Sequence, residues 1–323
     1  MTRIALDAMG GDRAPTETVA GAVAASAQGV DVILVGDEGL LAAQLRTLGS
    51  ELPIVHAPDT IGMGDEPARA IRDKPDSSVA VCARLVKEGG AAGFVSAGST
   101  GAAMASAAIL IGRIPGVLRP TIASVLPTRG TATIMVDSGA NPEVKPEHLV
   151  QFGEMGAALA EIGLGIRHPR VALLNIGEEK GKGRPLEKAA YELLSAANVE
   201  FVGNIEGRDI AGDKADVIVT DGFTGNVFLK TIEGAGGLVM SLLDEALATA
   251  SQATREEVMG LIEPIVHRMD YEETGGAFLL GVDGVVVIAH GSSGRRAIAN
   301  ALVMAHEGAV GGLVSRVASK VTV

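Results

Sequence analysis

The sequence GFVSAGSTGAAMASAAILIG, residues 93–112, contains the unit from which the fold is assembled. Residues 93–96 are an apolar run typical of a buried strand, residues 97–101 are small and polar as in a tight turn, and residues 100–111 predict a helix. Residues 89–112 carry no charge and are long enough to cross a bilayer. Their Gly, Ala, Ser and Thr content nevertheless favours a buried strand, turn and helix over a membrane span.

The same alternation of short β-rich runs and longer helical patterns continues along the chain. Strands are predicted at residues 4–9, 32–35, 54–56, 93–96, 122–126, 131–136, 171–176, 200–202, 217–220 and 285–289. Helices are predicted at residues 16–27, 39–48, 77–88, 100–111, 146–162, 185–197, 226–250, 255–269 and 293–309. This rhythm predicts an α/β fold with a mainly parallel sheet and helices on both faces. We expect a single domain over residues 1–323, because no linker or repeat of fixed period interrupts the pattern.

Residues 226–269 differ because two helical patterns follow one another without a strand between them. The break is predicted at residues 250–254, where Thr254 and Glu257 resemble a capping box. The pattern predicts a helical hairpin that projects from the α/β body or packs across it. Its apolar side chains suit packing within the subunit or in a dimer, or else contact with a membrane or a partner protein.

Composition and charge exclude several classes of protein. The net charge of −12 disfavours a nucleic-acid binder, because phosphate backbones need a basic face. A single cysteine excludes an intramolecular disulfide and favours a reducing compartment. Residues 1–12 reach Asp7 without the apolar run of a signal peptide, so we expect a cytoplasmic protein.

A turn of small and polar residues between a strand and a helix occurs three times, at residues 96–101, 220–226 and 290–294. Such a turn points free N–H groups and the positive end of the helix dipole at one spot, which suits a phosphate or another anion. Each turn alone is equally well explained as an ordinary helix cap. We expect all three to share one edge of the sheet, which favours a ligand site. The turns match neither the Walker pattern nor the dinucleotide fingerprint, so neither a nucleoside triphosphate nor NAD is expected.

Two further turns carry acidic residues after a strand, Asp7 in residues 7–12 and Asp137 in residues 137–141. These can hold backbone amides, a substrate hydroxyl or a water, or serve only as loop scaffolding. The run NIGEEKGKGR, residues 175–184, offers lysines to an anion or a developing oxyanion, although a solvated surface loop explains it equally well.

Other chemistry-bearing residues lack a matching pattern. Cys82 falls inside a predicted helix and is expected to be a small buried side chain. The histidines without metal-ligand spacing are His56, His148, His267 and His306. Because of this spacing we expect no metal site. The sequence also contains no G-x-S-x-G elbow, so we expect no nucleophile triad.

Six segments in order resemble the signature segments of the bacterial phosphate acyltransferases, the acyl-carrier-protein-dependent enzymes of phospholipid synthesis. They are IALDAMGGD at 4–12, SAGSTGA at 96–102, DSGAN at 137–141, NIEGRD at 204–209, TDGFTGN at 220–226 and HGSS at 290–293. The resemblance covers nearly the whole chain. It implies a three-layer α/β/α fold similar to phosphotransacetylase and isocitrate dehydrogenase, without metal or other cofactor.

The resemblance also implies a reaction, in which an acyl group passes from acyl carrier protein to inorganic phosphate to give acyl phosphate. A homodimer, a downstream membrane glycerol-3-phosphate acyltransferase and peripheral membrane contact through the hairpin are implied as well. Lys182 and Asn226 match the positions that the family marks as catalytic, and His290 is added as an acid or a phosphate-orienting group. The residues expected to bind phosphate or substrate are Gly98, Ser99, Thr100, Gly101, Asp7, Asp137, Asn141, Asp221, Thr224, Gly225, Ser292 and Ser293.

Two other functions compete with this interpretation. A dehydrogenase on the same fold needs a nicotinamide and usually a metal, for which the sequence offers no convincing carboxylate cluster. A non-catalytic scaffold that gathers lipid enzymes does not need so many polar glycine turns.

Overall fold

A computed structural model describes residues 2–128, 132–210, 212–269 and 271–321. Thr131, predicted to open a strand, and the side chain of His267 lie outside the described part. The strands are β1 Ile4–Asp7, β2 Val32–Gly36, β3 Ile54–His56, β4 Gly93–Ser96, β5 Thr121–Leu126, β6 Thr133–Val136, β7 Arg170–Leu174, β8 Glu200–Ile205, β9 Val217–Val219, β10 Ala277–Leu280 and β11 Val285–Ile288. The helices are α1 Thr16–Ala27, α2 Glu38–Thr47, α3 Pro67–Asp73, α4 Ser78–Lys87, α5 Thr100–Ser106, α6 Pro146–Gly163, α7 Pro185–Ala196, α8 Gly222–Leu247, α9 Gln252–Met269, α10 Tyr271–Thr274, α11 Arg295–Val310 and α12 Leu313–Lys320.

The described strands form one sheet in the order β3-β2-β1-β4-β11-β10-β5-β6-β9-β7-β8. Strands β3, β2, β1, β4 and β11 form one parallel block, and β6, β9, β7 and β8 form a second. Between them β10 is antiparallel to β11 and β5, and β5 is antiparallel to β6. The second block therefore runs opposite to the first. The mainly parallel sheet is confirmed, but the expected common edge for the three glycine turns is wrong, because β9 runs against β4 and β11.

The strand register nevertheless brings the three turns together. The two blocks are offset along the strands, so that their carboxyl ends meet on one row of paired residues across the sheet. That row is Leu6, Val95, Val287, Phe278, Ala123, Val136, Val219 and Leu173. Each strand of either block that contributes to the row ends at the row or one residue beyond it. We call this line the meeting row, and it replaces the expected edge as the place where turns from both blocks converge.

Helices cover both faces of the sheet, which confirms the three-layer α/β/α architecture. One face carries a large aliphatic core shared with α1, α6 and α11. On the other face, α4 and α5 cover the first block, while α8 covers the second through Phe228, Leu229 and Ile232. The cleft between α5 and α8 therefore lies over the meeting row. Residues 93–111 form a buried strand, a turn and a helix that continues as a π-helical segment, Ala107–Ile111, as the sequence predicts.

The region predicted as a helical hairpin contains two successive helices, α8 and α9, joined by residues 248–251. The predicted capping box at Thr254 is wrong, because the Ser251 hydroxyl accepts the Thr254 amide at 3.2 Å and α9 begins at Gln252. Several large apolar side chains of the pair are more than half exposed: Leu238, Val239, Leu242, Leu261 and Ile265. Within the described residues no single helix has both the length and the apolar composition to span a membrane, and only the bent pair α11 and α12 meets those criteria jointly.

Candidate active site

A cavity of about 900 Å³ occupies the cleft over the meeting row. Its polar end contains Gly98 and Thr100 from the turn after β4, His290 from the turn after β11, and Asn226 from α8. Its apolar walls come from β5 and the inner side of α8, and include Ile122, Val125, Leu229, Ile232 and Met240. The cavity is large enough for an extended small-molecule ligand with one charged end.

The turn after β4 presents unused backbone donors to this cavity. The Ser96 hydroxyl accepts the amide of Gly98 at 3.1 Å, and the Ser99 side chain caps α5 by accepting an amide of its first turn at 3.4 Å. In the described part of the chain the amides of Ser99, Thr100 and Gly101 make no hydrogen bond. These three donors and the dipole of α5 make this turn the best anion site of the three.

Asp7 lies beneath that turn and does not line the large cavity. The residue is 3% exposed, and the Ser96 hydroxyl donates to Oδ2 at 2.6 Å. Burial raises the pKa of Asp7, against the lowering effect of its hydrogen bonds. A Cβ on Gly10 would stand 2.5 Å from Oδ2 and 2.8 Å from the Gly98 nitrogen, so this crossing requires glycine. The geometry gives Asp7 a supporting place under the turn after β4.

Asp137 and Asn141 form a buried hydrogen-bond network after β6. The Asp137 carboxylate accepts the amide of Ile122, two amides of its own turn, and both the amide and the side-chain nitrogen of Asn141, at 2.7–3.1 Å. The carbonyl of Asn141 then accepts the amide of Gly222 at 2.8 Å. These two predicted substrate residues therefore shape the floor of the cleft and tie it to the start of α8.

Several backbone donors of the turn after β9 are hydrogen-bonded within the protein. Asp221 caps α8 by accepting the Thr224 amide at 2.8 Å and the Thr224 hydroxyl at 2.9 Å. Gly225 packs so tightly against the main chain of Asp137 that no Cβ fits there. The helix begins at Gly222, so the predicted start at Asn226 is wrong by four residues. Asn226 instead offers its exposed side chain, which lies over Gly139 at the cavity wall.

The turn after β11 joins His290 to Ser292. The His290 Nδ1 and Ser292 Oγ atoms are 2.7 Å apart, and the Ser292 amide also donates to Nδ1 at 3.3 Å. Ser293 is 4% exposed and lies below the surface of the turn. His290 is therefore oriented toward the cavity, with Ser292 as its support.

Lys182 sits on the loop of residues 175–184, which follows β7. Asn175 donates to the Lys182 carbonyl at 3.2 Å, and Asn204 donates to the Glu179 carbonyl at 3.0 Å. The Lys182 side chain is 48% exposed, with Nζ 3.8 Å from Glu179. It does not line the cavity, but it stands on an ordered loop beside the start of α8.

Sequence reasoning missed the residue that connects this loop to α8. The Arg184 guanidinium donates to Asp221 at 2.5 Å and to the buried Glu187. The available signal was the order Arg-Pro-x-Glu at residues 184–187, in which a proline opens a helix and an acidic residue returns to the preceding turn.

The possible metal ligands and the single cysteine are placed as follows. No group of three or more His, Cys, Asp and Glu side chains is placed to hold a metal ion within the described ranges. Cys82 is fully buried, as expected, and burial raises the pKa of its thiol. The arrangement can hold an anion at one end of a long apolar cavity and place polar groups around its reactive end.

The sheet, the two helical layers and the cleft define a phosphotransacetylase-like α/β enzyme fold. A phosphotransacetylase from Streptococcus pyogenes superposes with a TM-score of 0.66 at 17% identity, covering 96% of this chain and 94% of that one. A branched-chain phosphotransacylase from Enterococcus faecalis gives 0.58 at 16% identity, covering 96% and 99%. At such identities the likeness is one of fold.

Sequence comparison then defines the family. Residues 2–316 match the model of the family described as "Fatty acid synthesis protein", and the chain belongs to that family. It is 48% identical to a phosphate acyltransferase of Desulforamulus reducens over 97% of this chain and 96% of the relative. It is 46% identical to a phosphate acyltransferase of Thermus thermophilus over 99% and 98%. The family resemblance noted in the sequence is confirmed, and the chain is an acyltransferase.

Proposed function

We propose that this enzyme transfers an acyl group from the thioester of acyl carrier protein to inorganic phosphate, releasing acyl phosphate and the free carrier thiol. The observation that carries the proposal is the cavity of about 900 Å³, whose walls from α8 and β5 are mainly apolar, with Lys230 and Glu233 also in the lining. The cavity reaches Gly98 and Thr100 of the turn after β4, where the amides of residues 99–101 make no hydrogen bond in the described part of the chain. An acyl chain suits the apolar walls, and phosphate suits the amides.

In this mechanism, phosphate binds to the amides of Ser99, Thr100 and Gly101 and to the Thr100 hydroxyl. One phosphate oxygen attacks the thioester carbonyl carbon, a carbon–oxygen bond forms, and the carbon–sulfur bond breaks. A thioester is already activated and phosphate is already an anion, so no enzyme nucleophile is needed. Alignment of the two reactants supplies much of the rate.

Three side chains act on the charge that develops. Asn226 donates to the thioester oxygen as it becomes an oxyanion, and Lys182 offsets charge on the phosphate or the oxyanion. His290 either protonates the leaving thiolate or orients phosphate, with Ser292 fixing its ring. Lys182 has to approach the reacting centre from the rim of the cleft, since it does not line the cavity.

The proposal also includes the biological setting. The chain acts as a homodimer with peripheral contact at the membrane, where a glycerol-3-phosphate acyltransferase consumes the acyl phosphate. The exposed apolar residues of α8 and α9 support such a contact.

A hydroxamate assay tests the reaction. The enzyme is incubated with acyl-acyl carrier protein and phosphate, and hydroxylamine then traps acyl phosphate as a coloured hydroxamate. Hydroxylamine also reacts slowly with the thioester itself, so the yield is compared with that of a mixture lacking enzyme, and we expect it to rise above this background only when enzyme, phosphate and acyl donor are all present. A hydroxamate yield that does not depend on phosphate would contradict the proposal, as would a titration in which NADPH binds and is oxidised.

A further inference from the structure

We propose that Arg184 is a positioning residue that fastens the Lys182 loop to the first turn of α8, so that Lys182 and Asn226 act as one unit. This inference rests on the proposed function, because it assigns Lys182 a part in the transfer. Arg184 itself does not touch substrate in this scheme.

The geometry joins three elements through one guanidinium. Arg184 Nη2 donates to Asp221 Oδ2 at 2.5 Å, Nε donates to Glu187 Oε1 at 2.9 Å, and the Arg184 amide donates to Glu187 Oε2 at 2.7 Å. Glu187 belongs to the first turn of α7, and Asp221 caps α8. Arg184 ends the loop that carries Lys182 two residues earlier. The loop is therefore attached to both helix starts at once.

Both carboxylates that bind Arg184, those of Asp221 and Glu187, are buried. The side chains of Asp221 and Glu187 are 4% and 9% exposed. Burial alone would raise the pKa of Asp221, but hydrogen bonds from Thr224 and Arg184 lower it, so the group stays ionised. Hydrogen bonds to Glu187 and, next, to Asp221 raise the pKa of the Arg184 guanidinium. A planar guanidinium can satisfy two carboxylates in fixed directions, which a lysine ammonium cannot do equally well.

A second Arg–Asp pair on the same two strands provides a matched comparison. Arg170, which opens β7, donates to Asp216, just before β9, at 3.0 Å through both Nε and Nη2. Because β7 and β9 are paired, Arg170–Asp216 joins their starts while Arg184–Asp221 joins the segments that follow their ends. The two pairs are similar in chemistry, but only the second lies beside the proposed catalytic residues.

The experiment is a double-mutant cycle on the full-length enzyme with the hydroxamate assay. Arg184→Ala and Arg184→Lys are each made in the wild-type and the Lys182→Ala backgrounds, and Arg170→Ala serves as control. In the wild-type background we expect Arg184→Ala to lower kcat by roughly 10- to 100-fold with a small change in the KM for phosphate. The kcat of Arg184→Lys should lie between those of the wild type and Arg184→Ala. In the Lys182→Ala background the same change should cost less than about twofold, because the residue it positions is gone. Arg170→Ala should leave kcat near the wild-type value.

Equal losses of kcat in both backgrounds would overturn the inference, as would an equal loss from Arg170→Ala or an unaffected Lys182→Ala enzyme. Amide hydrogen exchange gives a second readout that does not depend on turnover. Arg184→Ala should speed amide exchange in residues 175–183 and 222–225 by at least about tenfold. Unchanged exchange there would refute the idea that Arg184 fastens the Lys182 loop to α8. If the wild-type enzyme makes no acyl phosphate but the exchange responds as expected, the proposed function is wrong, whereas the attachment of the loop to α8 through Arg184 is still supported.

Discussion

Asn226 reaches the cleft because α8 begins one turn before it. Asp221 caps the helix, so Asn226 lies in the second turn and presents its amide side chain, not a free backbone donor. The sequence motif TDGFTGN points to Asn226, but it does not reveal which groups of that residue are available. Only the structure shows that the amides of Gly222, Thr224 and Gly225 in this turn are already hydrogen-bonded.

Replacing Asn226 or Lys182 tests the charge-stabilising roles at the level of single residues. Asn226→Ala and Lys182→Ala should each lower kcat by about 10²–10³, the usual cost of losing one donor to a developing oxyanion. Lys180→Ala is the matched control, because Lys180 lies on the same loop but pairs with Glu192 at 2.9 Å. Near-normal turnover in both test variants, measured with acyl-acyl carrier protein, would remove these assignments.

Asp216 predicts how stability depends on pH. Burial alone would raise its pKa, but the hydrogen bonds from Arg170 lower it below the ordinary value of 3.8. A lowered carboxylate pKa contributes stability that is fully present above the unfolded pKa and is lost as pH falls through the folded one. Asp216→Asn should therefore cost about 2 kcal/mol at pH 7.

The difference in free energy of unfolding between the wild type and Asp216→Asn should shrink as the pH falls below about 3.8. Urea unfolding of both proteins at a series of pH values measures it. A difference that stays constant from pH 7 to pH 3 would show that ionisation of Asp216 is not the source.

At the scale of elements, local pattern was sufficient for most strands and long helices. Residues 16–27 and 93–96 match the predicted bounds, because a run of small and apolar residues and a short apolar run are both recognised from their local sequence. The strand β10 was missed because Ala277–Leu280 is a four-residue run after two glycines and lacks a distinctive pattern. The short α3, α10 and α12 are not predicted because seven, four and eight residues are shorter than the stretch over which a helical pattern is recognised.

Two glycines of α8 should respond in opposite ways to substitution by alanine. Gly225→Ala drives a methyl group into the backbone carbonyl of Asp137 and should destabilise the protein by about 3 kcal/mol. Gly234 has open space around it in the same helix, so Gly234→Ala should stabilise by up to about 1 kcal/mol through helix propensity. Free energies of unfolding in urea decide the matter, and similar values for the two variants would contradict this account of the helix start.

At the scale of the whole molecule, the meeting row could not be predicted from the sequence. The alternation of strands and helices implies a mainly parallel sheet, but it does not say which strands pair or where a block reverses direction. The reversal depends on β10 and β5, and the first of these carries almost no signal. The candidate residues were therefore found from their motifs, whereas the cleft that gathers them emerged only from the register.

The cavity predicts a dependence on acyl-chain length. Gly237 lines it from α8, and a Cβ there meets no atom within 4 Å, so a larger side chain can enter without a clash. Gly237→Leu should reduce kcat/KM at least tenfold for long acyl chains while changing it little for short ones, because the added side chain takes up apolar volume.

Gly234→Leu is the control for that change, since Gly234 belongs to the same helix but is not part of the cavity wall. Hydroxamate assays with carrier proteins bearing chains of different length compare the two variants. A parallel loss at every length would mean that this cavity does not hold the acyl chain.

The meeting row has a kinetic consequence. Because carboxyl ends of both blocks converge there, α5, α8 and α11 all start near the cleft and direct their positive ends toward it, each equivalent to about half an elementary charge. The molecule as a whole carries a net charge of −12. An incoming anion is therefore repelled at long range and attracted only within a few ångströms of the helix N-termini. Added salt screens the distant repulsion more than the close attraction. The capture rate of phosphate should therefore rise as ionic strength increases toward physiological values, opposite to the usual behaviour of an enzyme whose surface guides its anionic substrate inward.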